Sequence, residues 1–359
     1  MKTALRAGIP PFHVMDVWLA AAERQRTHGD LVNLSAGQPS AGAPEPVRAA
    51  AAAAIAANEL GYTVALGIPE LRAAIAGSYR RYGLSVDAED VVVTTGSSGG
   101  FLLAFLACFD AGDRVAFASP GYPCYRNILS ALGVEVVELP CGPQTRFQPT
   151  VAMLEAAGRL DGVIVASPAN PTGTVIAPAE LAAIAAWCDA NDVRLISDEV
   201  YHGLVYDGAP ATSCAWETSR SAVVANSFSK YFAMTGWRLG WLLVPEELRR
   251  AVDCLTGNFT ICPPVLSQIA AVAAFTPEAI AEADGHLRHY GANRERLLTG
   301  LREIGIDRIA PPDGAFYVYA DVSAFTDDSM AFCARLLAET GLAVAPGIDF
   351  DTRDGNRDR

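Results

Sequence analysis

The sequence predicts an α/β fold: a mostly parallel, seven-stranded sheet with helices on both faces, followed by a smaller α+β unit. Two observations predict it. From Asp90 onward, short β-branched runs alternate with longer helix-like segments, the alternation that parallel sheets need for their crossovers. Most of those runs are near-continuously apolar, the pattern of strands buried on both faces. At 359 residues, the chain is long enough for two domains with substantial cores.

The first stretch, "MKTALRAGIPPFHVMD", has no continuous apolar segment and turns to proline at position 10. It reads as an N-terminal arm that, over residues 1–40, also contributes to the small domain. "PVRAAAAAAIAANEL" (46–60) reads as a helix, because alanine has the best helix propensity and Pro46 is tolerated in a first turn. A second helical pattern, "IPELRAAIAGSYRRYG", ends on Gly83. Strands are expected at 91–95, 114–118, 134–139, 162–166, 193–197, 222–226 and 239–244. The last follows a shorter interval and is the candidate antiparallel member. Beyond residue 250, a long helical stretch from "LSQIAAVAAF" to "LREIG" precedes a short strand, "GAFYVYADV", and a further helix. The expected division is therefore a large domain over 41–250 and a small one over 251–359, with no repeats or long linkers.

Composition narrows the function. The chain is 51% hydrophobic and 19% charged, as folded globular proteins are. A net charge of -13 argues against nucleic acid or an anionic membrane as partner. No apolar run approaches the roughly 18 to 20 residues that span a bilayer. Eight cysteines are scattered without a C-x-x-C pair, which fits reduced thiols in a soluble, cytoplasmic protein.

In open α/β sheets, ligands collect beyond the carboxyl ends of the strands. Strand 91–95 runs into "GSSGG", where Gly96, Ser97 and Ser98 open a helix. Free N–H groups there form a site for phosphate, although a tight turn with a serine N-cap explains the residues equally well. "GSSGG" also satisfies G-x-S-x-G, the nucleophile elbow of α/β-hydrolases, with Ser98 as nucleophile. Strand 114–118 leads to "SPGYPCY", where Tyr122 either faces a flat ligand or merely stiffens a loop. Strand 162–166 ends in "SPANPTG", a turn that aims Asn170 at the cleft. Strand 193–197 ends at Asp198, a carboxylate that caps the following segment or meets a cation.

Strand 222–226 ends in "SFSK". Of 27 basic residues, only Lys2 and Lys230 are lysines and the other 25 are arginines. An interior lysine in such a chain points to chemistry that arginine cannot perform, since only the lysine amine can lose its proton and attack a carbonyl. Lys230, Asp198, Asn170, Tyr122 and the 96–98 turn would converge on one crevice if the sheet is parallel. An amine, a carboxylate, an amide, an aromatic face and a phosphate cradle are the parts that hold pyridoxal phosphate. Asp198 would keep its pyridine nitrogen protonated. Arg238, Ser227 and Ser229 would add phosphate contacts.

"SPANPTG", "SDEVYHGLVY" and "SFSKYFAMTGWRLGW", supported by "GYTVALGIPELRAAIA" and "SPGYPCY", resemble the class I/II aminotransferases, the fold-type-I family of pyridoxal-phosphate enzymes. The resemblance implies that Lys230 condenses with the cofactor and later moves the substrate α-proton. It implies that Asp198 pairs with the pyridine nitrogen, that Asn170 and Tyr201 bind the ring hydroxyl, and that Tyr122 stacks on the ring. Gly96, Ser97, Ser98, Ser227, Ser229 and Arg238 would surround the phosphate. Tyr62 would reach the phosphate of a neighbouring subunit, implying a homodimer. Gly37 would lie over the substrate beside Asn170. The family places an arginine for the substrate carboxylate in a motif like G-x-x-x-V-R-L-S. Here the chain reads "APGIDFDTRDGNRDR": Arg359 falls one residue short, with Asp358 in place of an apolar residue. On this resemblance, the small domain is expected to lack the family's last strand and helix.

The activity implied is ping-pong amino transfer between an amino acid and a 2-oxo acid. Neutral aliphatic or aromatic donors are expected, because no additional cation for an acidic side chain is evident. Carbon–sulfur lysis or decarboxylation would use the same residues. A hydrolase with Ser98, Asp198 and either His286 or His289 leaves Lys230 without a purpose, and a DNA-binding regulator would need a basic module. His202 could line the pocket. No metal is expected.

Overall fold

The computed structural model describes residues 1–58 and 60–352. Among the described residues, nine strands form two sheets. A small parallel pair joins β1 (Val32–Asn33) to β9 (Leu342–Ala343). The main sheet contains β2 (Val91–Thr94), β3 (Arg114–Ser119), β4 (Glu135–Pro140), β5 (Gly162–Ala166), β6 (Arg194–Asp198), β7 (Val223–Ser227) and β8 (Gly240–Leu243). Its order is β2-β8-β7-β6-β5-β3-β4. Only β8 runs against its neighbours, pairing antiparallel with both β2 and β7. The remaining six strands share one direction, so their carboxyl ends open on one edge.

Side-chain alternation explains why the apolar runs are continuous. Val91 and Val93, Val163 and Val165, and Leu195 enter the core on one face. Val92, Ile164 and Ile196 enter the core on the other. A strand wetted on one face would alternate with polar residues; these bury both.

The helices are α1 (His13–His28), α2 (Glu45–Ala57), α3 (Pro69–Ser78), α4 (Gly96–Cys108), α5 (Pro123–Leu132), α6 (Val151–Ala156), α7 (Pro178–Ala190), α8 (Glu246–Phe259), α9 (Val265–Ala271), α10 (Pro277–Glu303) and α11 (Ser329–Thr340). The alanine-rich run is α2, which carries Pro46 in its first turn. The pattern ending on Gly83 is α3 followed by a short 3-10 turn, closed by Gly83 at φ 75°.

Two expectations need correction. The long helical stretch beyond residue 265 is not continuous: α9 gives way to a 3-10 turn at Val272–Phe275, and α10 starts anew. Pro277 has no N–H to continue the ladder, and the Thr276 hydroxyl instead caps the new helix through the Ala279 amide at 3.3 Å. The segment 314–322 is not a strand. Ala315 takes a left-handed backbone, φ 57°, which bends the run. The amides of Gly314 and Ala315 bond to the carbonyls of Gly173 (2.9 Å) and Leu204 (2.8 Å). Only isolated bridges, Val205 with Gly314 and Ile309 with Ala320, remain.

Gly240 at the start of β8 sits against the 96–97 turn. A Cβ there would lie 2.8 Å from both the Ser97 amide nitrogen and the Asn226 carbonyl oxygen, backbone atoms that cannot swing aside. Gly240→Ala is expected to cost about 2–3 kcal/mol, read as a lower urea midpoint at unchanged slope. A loss under about 0.5 kcal/mol would mean that the two turns are free to separate.

Candidate active site

The site is assembled from the carboxyl ends of β2, β3, β5, β6 and β7. After β2, the chain turns through Gly96, at φ 68°, and starts α4. Ser97 and Ser98 face a cavity of about 350 Å³, and the first amides of α4 have no partner within the helix. The space that a Gly96 side chain would fill is taken by the Arg238 guanidinium. Arg238 reaches it from a left-handed residue, φ 52°, after the 3-10 turn Thr235–Trp237. A helix N-terminus and a guanidinium facing one space form an anion site.

Beyond β7, the Ser227 hydroxyl accepts from the Ser229 amide at 3.0 Å and lies 3.4 Å from the Leu239 carbonyl. It is used in shaping the bend and does not line the cavity, whereas Ser229 does. Lys230 then projects inward and donates to the Gly37 carbonyl at 2.6 Å. Desolvation pushes its amine down to about 8, helped by the Arg238 charge and opposed by Asp198. Lysine so placed is a short step from its neutral, nucleophilic form.

Asp198 ends β6 and is 6% exposed. Burial pushes its carboxyl up to about 6, against the Tyr125 hydroxyl, the Val200 amide at 3.0 Å and Lys230, which all favour the anion. Two bonds leave the carboxylate room to accept another. Asn170 follows β5, and its buried Oδ1 has no hydrogen-bond partner among the described residues. A buried amide oxygen left in this state costs stability unless a ligand group meets it. Tyr201 places its ring 5.4 Å from the Lys230 amine and its hydroxyl against that of Tyr317. Tyr122 stands edge-on to Tyr125, ring centroids 5.4 Å apart.

The cavity thus gathers Gly37, Ser97, Ser98, Tyr122, Asn170, Asp198, Tyr201, Ser229, Lys230 and Arg238. Gly96 backs Arg238 from behind. Tyr62 is not there; it is 82% exposed. Arg359 and Asp358 lie outside the described residues. Larger cavities occur, one of about 680 Å³ beside Pro140–Gln144, but it does not contain Lys230, and volume alone does not mark a site. His202 is buried against Glu199, 3.4 Å away, and lines no part of this cavity. His286 and His289 sit on α10 and neither lines the cavity that Ser98 faces, so the hydrolase arrangement does not form there.

Sequence reasoning missed a wall of the cleft. Phe12, Val14, Met15 and Trp18, at or near the start of α1, face the cavity together with Phe350. The Asp349 carboxylate holds that helix start, accepting from the His13 and Val14 amides at 3.0 and 2.7 Å. It also missed Tyr125, although Tyr122-x-x-Tyr125 is a one-turn spacing at the start of a helix.

The anion cradle, the buried amine and carboxylate and the amide wanting a partner fit pyridoxal phosphate, and the sheet is that of the fold-type-I transferases. A crystal structure of an aminotransferase from Mycobacterium tuberculosis superposes with a TM-score of 0.98 at 80% identity, covering 99% of this chain and 93% of that one. Aspartate aminotransferase from Thermus thermophilus with maleate gives 0.92 at 35% identity, with 98% and 92% covered. The sequence model described as aminotransferase class I and II matches residues 29–357, and the chain belongs to that family. Among curated relatives, the valine–pyruvate aminotransferase of Mycobacterium tuberculosis is 81% identical over 99% of this chain and 92% of its own length. The aspartate/prephenate aminotransferase of Thermus thermophilus is 36% identical over 92% and 86%. The protein is an aminotransferase.

The raised Asp198 carboxyl sets a pH-dependent cost. Between its ordinary 3.8 and about 6, the folded ligand-free protein holds a proton that the unfolded chain releases. The penalty is therefore full above pH 6 and vanishes below pH 4. Asp198→Asn is expected to stabilise the ligand-free protein by about 1–3 kcal/mol at pH 7. That gain should fade on acidification, measured by urea unfolding at each pH; a gain independent of pH would contradict it.

Proposed function

We propose that this aminotransferase carries pyridoxal phosphate on Lys230 and moves an amino group from a neutral aliphatic amino acid to a small 2-oxo acid by a ping-pong route. Valine and pyruvate are the leading pair. The carrying observation is the buried Lys230 amine beside Asp198, in a cavity whose Asn170 oxygen lacks a partner among the described residues. In this reading Asp198 holds a proton on the pyridine nitrogen. Asn170 and Tyr201 bond the ring oxygen, and Tyr122 covers one ring face. The α4 amides, Ser97, Ser98, Ser229 and Arg238 hold the phosphate, with Gly96 and Ser227 shaping their turns. Lys230 takes the proton from the substrate α-carbon, and an amine brought to about 8 is well matched to that task near neutral pH. The bound cofactor supplies the electron sink.

The donor class follows from what remains. Among the described residues lining the cavity, the charged ones are Asp198, Lys230 and Arg238, and the cofactor engages all three. The side facing α1 is apolar. An acidic donor would find no second cation there, whereas a branched aliphatic side chain fits. The 81% identical relative carries the name valine–pyruvate aminotransferase, which supports the same pair. Gly37 and Asn170 would flank the substrate, with Arg359 as the candidate for its carboxylate.

A homodimer completes the reading. Tyr62 and Val64, at 82% and 59% exposed, are available to a second copy, Tyr62 towards its phosphate. The domains are an arm over 1–40, a cofactor-binding body over 41–250 and a small domain over 251–359. No disulfide joins the cysteines, which supports a cytoplasmic location. Among the described residues, no helix is long and apolar enough to cross a membrane.

Wild-type protein given pyridoxal phosphate is expected to show a visible cofactor band and to convert valine and pyruvate to their transamination products. Lys230→Ala should lose the band and about a thousandfold or more of the rate. Wild type without a band would end the cofactor reading. Keto-acid-independent ammonia release would assign an elimination instead.

A further inference from the structure

Tyr201 and Tyr317 bring their hydroxyls together, with rings edge to face and centroids 5.5 Å apart. Among the described residues, neither hydroxyl has another hydrogen-bond partner. Tyr317 belongs to the bent segment 314–322, which the amides of Gly314 and Ala315 fasten to the loops at Gly173 and Leu204. It packs beneath Gly37: a Cβ at that position would lie 2.6 Å from the Tyr317 hydroxyl oxygen. The Gly37 carbonyl in turn receives the Lys230 amine. One phenol therefore touches both the partner of Lys230 and the hydroxyl of Tyr201.

We infer that Tyr317 is a positioning residue that donates its hydroxyl hydrogen to Tyr201, so that the hydrogen of Tyr201 points at the cofactor ring oxygen. The inference rests on the cofactor reading above. A phenol has one hydrogen to give and lone pairs to receive another. Two phenols in contact spend one hydrogen on each other and keep one. Were Tyr201 the giver, the ring oxygen would meet a lone pair and be repelled. With Tyr317 as the giver, it meets a hydrogen. Burial keeps both phenols protonated through the neutral range. The absence of a side chain at Gly37 is what admits the arrangement.

The test loads wild type, Tyr317→Phe, Tyr201→Phe and the double variant with pyridoxal phosphate and follows the visible band against pH. A ring oxygen with fewer or less firmly aimed hydrogens holds more negative charge, so the neighbouring protonated nitrogen keeps its proton to higher pH. Tyr317→Phe is expected to raise the midpoint by about 0.5 to 1 pH unit, and Tyr201→Phe by more. The double variant should match Tyr201→Phe alone, because Tyr317 acts through it. Affinity for pyridoxal phosphate should change less than about threefold in Tyr317→Phe, since Lys230, Asp198 and Arg238 are untouched. An unmoved or lowered midpoint in a folded Tyr317→Phe protein, or shifts that add in the double variant, would overturn the assignment. If Tyr317→Phe fails to fold, Gly37→Ala displaces the same hydroxyl and should raise the midpoint; no rise would count equally against it. A wild type with no band would remove the cofactor reading and this inference with it.

Discussion

The protein depends on keeping a lysine amine and a carboxylate out of water without letting them neutralise each other. Desolvation works against both charges: it lowers Lys230 and raises Asp198. Their mutual attraction and the bonds to Asp198 from Tyr125 and Val200 oppose that drift but do not cancel it. What results is a destabilised, reactive pair, which a structure tolerates only when the surrounding sheet is stable enough to hold it. The double-sided apolar core around β5, β6 and β7 supplies that stability.

The sheet also supplies the geometry. β6 and β7 are adjacent and parallel, with Asp198 in register with Ala225, so the two carboxyl ends deliver Asp198 and Lys230 to one point. β8 starts beside the carboxyl ends of β2 and β7, which sets Arg238, two residues before it, against Gly96 at the start of α4. Strand direction therefore decides which of the charges meet, and a shift in register would separate them.

Much of this was legible in the sequence because it depends on local signals. Continuous apolar runs mark strands buried on both faces, and a polar residue where such a run ends marks a strand end. That logic finds Asp198, Asn170 and Lys230 without knowing their partners. It fails where the third dimension decides. Tyr317 reads as one of several alternating aromatics in "GAFYVYADV", and only the left-handed Ala315 and the contact with Gly37 reveal that the segment is a bent clasp. The α1 wall was invisible for the same reason: nothing near Phe12 or Trp18 says that Asp349, over three hundred residues away, holds that helix in place. Ser227 shows that residue type alone does not fix a role: its hydroxyl accepts the Ser229 amide in the bend and does not line the cavity. Pro277, by contrast, carried a local signal in the sequence that the helical periodicity around it masked.

Helix α1 is fastened at two places. Near its beginning two amides share the Asp349 carboxylate; near its end Arg24 reaches the Ala338 carbonyl and Asp30. A rod pinned at both ends keeps its shape whether or not anything occupies the space beside it. Under the proposed function, selection among side chains would use a mould set in advance, with little ordering left to be done when a guest arrives.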